Sequence, residues 1–317
     1  KKMKIIIKKI HQFLKKLISL ILPYLKYFRL QSFIIDKLTT IRLKSHYNQQ
    51  FDNLVSKLAL NEKLILLDVG AQDFDFENLF PNKFKSYFEP VLVEPNSQES
   101  KKLKDRNFKV IENGLWSSET IRNLYITGKN PGGSSMYKPS KDGFDLFNPY
   151  DNYFDQYEIT NEIKVKCITI SESLKNLKIK ELDYLKIHAQ GAEFEILKGL
   201  GNYKPLMLNI EVQIFPQYHE VPLWTEMLDW LYKKGYMICS WEKIGSSMAQ
   251  SPVQMNMKLI PNFSNPLGKE IINNSKDKFI FLMIATGQIS LLKILAKKLN
   301  FQKSNDDINK IKDYYFY

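Results

Sequence analysis

This sequence is poor in the residues that staple small domains or grip nucleic acid. Cysteine occurs twice in 317 residues, at Cys167 and Cys239, far apart and without CxxC spacing. That gives no support to a disulfide framework or a zinc ribbon, and it fits a reducing compartment with two core thiols. Arginine occurs only at positions 29, 42, 106 and 122, and basic residues are not interleaved with aromatics on any later strand. Nucleic acid is therefore not an expected partner. No apolar run reaches the roughly 20 residues a membrane-spanning helix needs, and Pro23 interrupts the best candidate. A signal peptide also fits poorly, because Lys8, Lys9, Lys15 and Lys16 split the apolar stretch and no small-residue cleavage site follows.

What is present is enough apolar material, 44% of residues with 13% aromatic, to bury a sizeable core. The length suits one large α/β domain with appendages, or two small domains. Charge is unevenly placed. The formal total is +12, yet up to Lys44 twelve basic residues face Asp36 alone, so the rest of the chain is close to neutral. Within this basic arm, Ile6, Ile10, Leu14, Leu17 and Ile21 recur near one face of a helix. Residues 1–30 read either as a peripheral anchor on anionic lipid or as a helix packed against protein, and periodicity does not separate the two. A cytoplasmic protein, touching the inner membrane face in the first case, is expected.

The centre of the chain is LDYLKIHAQGAEFEILKG, residues 182–199. Leu182, Tyr184, Leu185 and Ile187 form a short apolar run with Lys186 its one charge, as a buried parallel strand does. After His188 and Gly191 the apolar spacing becomes that of a helix face, through Ala192, Ile196 and Leu197. Ligands of open α/β sheets sit beyond the carboxyl ends of the strands, so His188, Gln190 and Glu193 would face a site. The same pattern also describes an ordinary strand-to-helix turn whose polar residues cap the helix.

Other runs end in polar residues at the same kind of edge. NEKLILLDVG, 61–70, ends in Asp68 and Gly70; an acid followed by Gly suits an adenosine-containing cofactor, since Gly admits close backbone approach. PVLVEPN, 90–96, ends in Glu94, 26 positions after Asp68, and a carboxylate there matches the two donors of a ribose diol or simply caps the strand. KVIENGLW, 109–116, places Asn113 and Gly114 at that edge, and LMLNIEVQIF, 206–215, carries Glu211 near its end. Between 128 and 157 a long loop contains GKNPGGSSMYKPS; its Gly132, Gly133, Ser134 and Ser135 suit a wrap around a small ligand or a flexible link. EIKVKCITI, 162–170, alternates as a strand with one wet face, 223–234 reads as a helix stopped by Gly235, and 279–299 as one packing helix.

With these strand ends in place the chain resembles the FkbM-type S-adenosylmethionine-dependent methyltransferases, over roughly residues 62–260. DYLKIHAQGAEFEILKG carries most of the likeness, with His188 where family members have Asp; LLDVGA, LVEPN and VIENGLW are similar to the family's cofactor motifs, and GGSSM to a serine-containing loop. The resemblance implies an α/β, Rossmann-like, seven-stranded, mostly parallel sheet with helices on both faces. It would occupy 61–262, between a basic helical extension at 1–60 and a helical tail at 263–317. It implies S-adenosylmethionine as cofactor, held by Asp68, Gly70, Glu94, Asn113, Ser135 and Gln190. In the first motif Phe74 stands where the family usually has a second Gly, so its ring must turn away from the cofactor's methionine part or collide with it.

Methyl transfer to a hydroxyl needs a base within reach of its proton. His188, helped by Glu193 or Glu211, is the candidate, acting on a sugar hydroxyl of a glycan or glycolipid. No metal is expected, because His188, Glu193, Glu211 and His219 lack ligand spacing. Two other readings remain open at this point: a catalytically silent relative serving as a binding or scaffold module, and a nucleotide-sugar enzyme on a similar sheet.

Overall fold

A computed structural model describes residues 50–147, 153–244 and 254–299, with 301 and 308. The expected arm helix lies outside the described residues. The chain divides into two compact units, Lys1–Lys57 and Leu58–Tyr317. In the first, the described element is α1 (Gln50–Val55).

In the second unit, β1 (Leu64–Val69), β2 (Phe88–Val93), β3 (Lys109–Ile111), β7 (Tyr184–Ile187), β8 (Met207–Gln213), β9 (Tyr236–Ile244) and β10 (Gln254–Pro261) build a seven-stranded sheet in the order β3-β2-β1-β7-β8-β10-β9. The strands from β3 to β8 are parallel, while β10 runs antiparallel to both of its neighbours. From β1 the chain steps outward to β2 and β3, and later from β7 to β8 in the opposite direction. By the right-handed rule for parallel crossovers, these opposite directions place α2 (Ser97–Asp105) and α5 (Glu193–Lys198) on opposite faces. The order reverses between β1 and β7, which opens a crevice there.

Register fixes the rim of that crevice. Val69 lies opposite both Val93 and Ile187, Val93 opposite Ile111, and Ile187 opposite Ile210. One residue further along, Gly70, Glu94, His188 and Glu211 therefore stand in a row. The apolar runs behind them are fully buried, as Leu66, Leu67, Val91, Leu92, Leu185 and Leu208 show, and burial on both faces is why such strands read as unbroken apolar runs.

The segment read as one strand over 109–116 is two. β3 joins the main sheet, whereas β4 (Gly114–Leu115) joins β5 (Thr120–Thr127) and β6 (Ile159–Ile168) in a separate sheet of order β4-β6-β5. Gly114 permits this crossing, since a Cβ there would meet the Met136 Cε at 2.5 Å and the Cys167 Sγ at 2.7 Å. The long loop is less irregular than expected. It holds a 3-10 turn at Pro131–Gly133, α3 (Lys141–Phe147) and a second turn at Phe154–Tyr157. Isolated bridges tie Ser135 to Tyr125 and Pro139 to Tyr218.

α4 (Ile170–Asn176) starts on Thr169, whose hydroxyl accepts from the Glu172 N–H at 3.0 Å. α6 (Trp224–Lys233) stops before Gly235 at φ +86°, as its sequence predicts. Beyond α7 (Pro266–Asn274), the single helix expected over 279–299 is instead α8 (Lys276–Ala285) and α9 (Ile289–Lys298), separated at Gly287 with φ +75°. All seven residues from Phe279 to Ala285 are buried, and Phe281 sits within 5.0–5.7 Å of the rings of Phe84, Tyr87 and Phe88. A helix apolar all round belongs inside, so the tail contributes to the core. Among the described residues no helix is long and apolar enough to cross a membrane.

Candidate active site

A cavity of about 460 Å³ opens at the crevice, within the range of roughly 300–1,000 Å³ usual for small-molecule sites. One wall is the β1 turn, where Gly70 takes φ +77° and a Cβ would lie 2.0 Å from the His188 carbonyl oxygen. Only glycine lets the tips of β1 and β7 come this close. The Gly70 and Ala71 N–H groups, each 3.2 Å from the Val93 carbonyl, bind this turn to β2.

Glu94 lines the next wall and is 6% exposed. Its Oε1 accepts from the Asn96 N–H at 2.9 Å, while the Asn96 side chain caps α2. Burial is the main reason that its carboxyl is raised to about 7, with the Asn96 hydrogen bond opposing. Opposite stand His188 and Gln190. The His188 Nε2 pairs with Glu211 Oε2, and Glu211 is 3% exposed. The other Glu211 oxygen faces the Gln190 amide nitrogen at 3.2 Å and the Gln254 amide nitrogen at 3.4 Å. Burial would lower the His188 pKa, but the charge and hydrogen bond of Glu211 more than offset it, so the imidazole lies above its ordinary value. The loop closes the cavity: Ser135, 2% exposed, donates to the Gln190 carbonyl at 2.7 Å and accepts from the Tyr137 N–H at 2.9 Å.

A family model for the methyltransferase FkbM domain matches residues 68–238, more than half of the chain. The chain belongs to that family. It is a methyltransferase of the S-adenosylmethionine-dependent type, and S-adenosylmethionine is its cofactor. Among solved structures, the chain is similar to magnesium protoporphyrin IX methyltransferase from Synechocystis PCC 6803, at 8% identity over 68% of this chain and 80% of that one, TM-score 0.32. It is similar to a putative tRNA (m1A22) methyltransferase of Streptococcus pneumoniae, at 9% identity over 83% and 98%, TM-score 0.32. It is also similar to the plantazolicin methyltransferase BpumL, at 12% identity over 75% and 90%, TM-score 0.32. Likeness at this level bears on neither acceptor nor mechanism. No curated protein matches the sequence.

Of the residues expected at the site of this FkbM methyltransferase, Gly70, Glu94, Ser135, His188 and Gln190 line the cavity. Three expectations of direct contact are corrected. Asp68 is 1% exposed and not among the lining residues; its carboxylate takes the Lys186 ammonium at 2.8 Å, because the two lie side by side on neighbouring strands. Asn113 turns its amide to the Lys166 carbonyl at 3.4 Å, drawn aside by the crossing from β3 to β4. Glu193 accepts from the Ala189 and Gly191 N–H groups, both at 2.9 Å, so it clamps the turn that presents His188. Glu211, rather than Glu193, is the partner of His188. Burial, followed by repulsion from Glu211, lifts the Glu193 carboxyl to about 7.

Phe74 turns away. It is 4% exposed and meets Phe108 edge-on at 5.2 Å, leaving Gln72 and Asp73 on the cavity wall. Lys186 and Gln254 are among the participants that the sequence pattern did not assign to the site. Lys186 left a signal, since a single charge in a buried strand needs a buried counter-charge; Gln254 left none. Among the described residues no group of three or more His, Cys, Asp or Glu is placed to hold a metal.

Proposed function

We propose that this FkbM methyltransferase transfers a methyl group to a hydroxyl oxygen, and that the acceptor is a sugar hydroxyl of a glycan or glycolipid. The observation that carries the O-methylation reading is His188 on the cavity wall, paired with the buried Glu211. Glu211 fixes the ring and, by taking the Nε2 proton in a hydrogen bond, leaves Nδ1 with the lone pair. An alcohol needs such a base, because it is a poor nucleophile until its proton is removed. Nδ1 is therefore the atom assigned to receive the acceptor proton.

The residues present fit the cofactor. The turn at Gly70 would be filled by any Cβ, and Glu94 presents at the cavity wall a buried carboxylate that the Asn96 and Gln72 N–H groups hold. Glu94 would accept from the ribose diol, and Gly70 would let the backbone approach. When bound, S-adenosylmethionine supplies an electrophilic methyl group on a sulfonium. The protein orients the acceptor against it, excludes water through the 131–136 loop, and takes the proton on His188.

The sugar assignment rests on the family likeness, and the basic arm fits an acceptor presented at an anionic lipid surface. The test is transfer of labelled methyl from S-adenosylmethionine to glycolipid extracts before and after chemical blocking of their hydroxyls. Label that survives blocking rejects the hydroxyl acceptor. For the arm, removal of residues 1–30 is expected to abolish pelleting with anionic liposomes, and unchanged pelleting rejects lipid contact.

A further inference from the structure

We infer that Tyr218 is a positioning residue, whose single hydroxyl proton is shared between the loop over the cofactor cavity and the Gln190–Glu211–His188 chain. The hydroxyl lies 2.9 Å from the Gly133 carbonyl and 3.0 Å from Gln190 Oε1. Both partners are acceptors, and a phenol has one proton to give. Gln190 has no alternative orientation, because its other end meets Glu211 Oε1 at 3.2 Å and must present its nitrogen to a carboxylate. Loop, phenol, amide, carboxylate and imidazole thus form one line of hydrogen bonds ending at the proposed base. This coupling rests on the proposed role of His188.

Tyr218 is 1% exposed and fixed by packing, with the Phe144 ring edge-on at 5.4 Å and Phe144 stacked on Tyr157 at 3.7 Å. Its ring is fixed, so what can vary is how the one proton divides between the two acceptors. Without the Gly133 bond the proton would pass wholly to Gln190, which would then hold Glu211 more firmly. With that bond in place the hold on Glu211 weakens and more of its charge acts on the imidazole. The Gly133 bond thereby raises the basicity of His188. The other charged groups facing His188 are Lys186 on β7 and Glu193 on α5, with Asp68 on β1; Tyr218 itself faces Tyr153, Tyr157, Glu193 and Glu211. Tyr157 also reaches the loop, through a hydrogen bond to Asn130, but of these groups Tyr218 alone hydrogen-bonds to both the loop and Gln190.

Tyr218→Phe keeps the ring and removes the proton. By NMR titration the His188 pKa in this variant is expected to rise by about 0.5 unit or more, and amide exchange at Gly133–Ser135 to quicken. Gln190→Leu, which removes the donor to Glu211, should raise the His188 pKa too, and adding Tyr218→Phe to it should change nothing further. A packing role alone would move neither readout while the protein stays folded. If His188 titrates in Tyr218→Phe as in the wild type, the coupling is overturned. Should Tyr218→Phe not fold, an unmoved His188 in Gln190→Leu overturns it equally. The titration needs no turnover, so a protein that shows the shift but methylates no hydroxyl would keep the coupling and lose the proposed function.

Discussion

Glu94 and His188 share one rim but invite opposite tests. The Glu94 carboxyl, raised to about 7, accepts from both hydroxyls of a diol only when ionised, because protonation turns one of its oxygens into a donor. S-adenosylmethionine affinity, measured calorimetrically, is expected to fall about tenfold from pH 8 to pH 6, the change in ionised fraction of a group with that pKa. Glu94→Gln should flatten the dependence and bind weakly throughout. His188→Ala should spare binding and lower kcat by about 10²–10⁴, the usual contribution of a positioned base. Because Glu211 holds the His188 pKa above its ordinary value and the neutral ring is the active form, kcat should climb with pH through that raised value. Glu211→Gln removes the charge that raises it, so the rising limb should move to lower pH. Lys186→Met leaves the Asp68 carboxylate buried without its counter-charge, a loss of up to about 3–5 kcal/mol by urea unfolding; a change below ~1 kcal/mol would show that Asp68, whose pKa burial already raises, takes up a proton instead.

At the scale of elements, the strands that build the site were legible because they obey one rule. β1, β2, β7 and β8 are buried on both faces, so each reads as an apolar run, and their polar ends line up because parallel register equalises the edge. What was not legible depended on neighbours distant in sequence. Nothing local in KVIENGLW shows that Gly114 slips between Met136 and Cys167 into a second sheet, nor that Asp68 lies beside Lys186. Helix periodicity across 279–299 likewise hides the break at Gly287, because an all-round buried helix such as α8 has no phase to lose. Gly70 was legible as a turn, but its reason lies in β7. Gly70→Ala meets both a positive φ, costing on the order of 1–3 kcal/mol, and a carbonyl oxygen 2.0 Å from the new Cβ. Such a variant should melt lower and bind no S-adenosylmethionine. Native cofactor affinity in it would mean that β1 and β7 can part without harm.

For the whole molecule, the site's buried acids make stability run against pH. Glu94 and Glu193, 6% and 5% exposed, hold their protons up to about 7, against an ordinary value of 4.5 in the unfolded chain. Between those values the folded state binds more protons, so stability must fall as pH rises from about 4.5 to 7 and level off above, by a loss on the order of 3 kcal/mol for each group. His188 adds to the same trend, since the stabilisation from its raised pKa is lost as pH climbs through that value. Glu112, held low by its bond to Lys104, works the other way from the surface. The cofactor reverses part of this slope. Any ligand that binds only the folded state adds stability in proportion to its affinity, and contact with ionised Glu94 strengthens as pH rises. The gap between melting curves with and without S-adenosylmethionine should therefore widen from pH 6 to pH 8, while the cofactor-free curve falls over the lower part of that range. A gap that stays constant in the wild type would remove Glu94 from the diol contact and leave its raised pKa as a cost of burial alone.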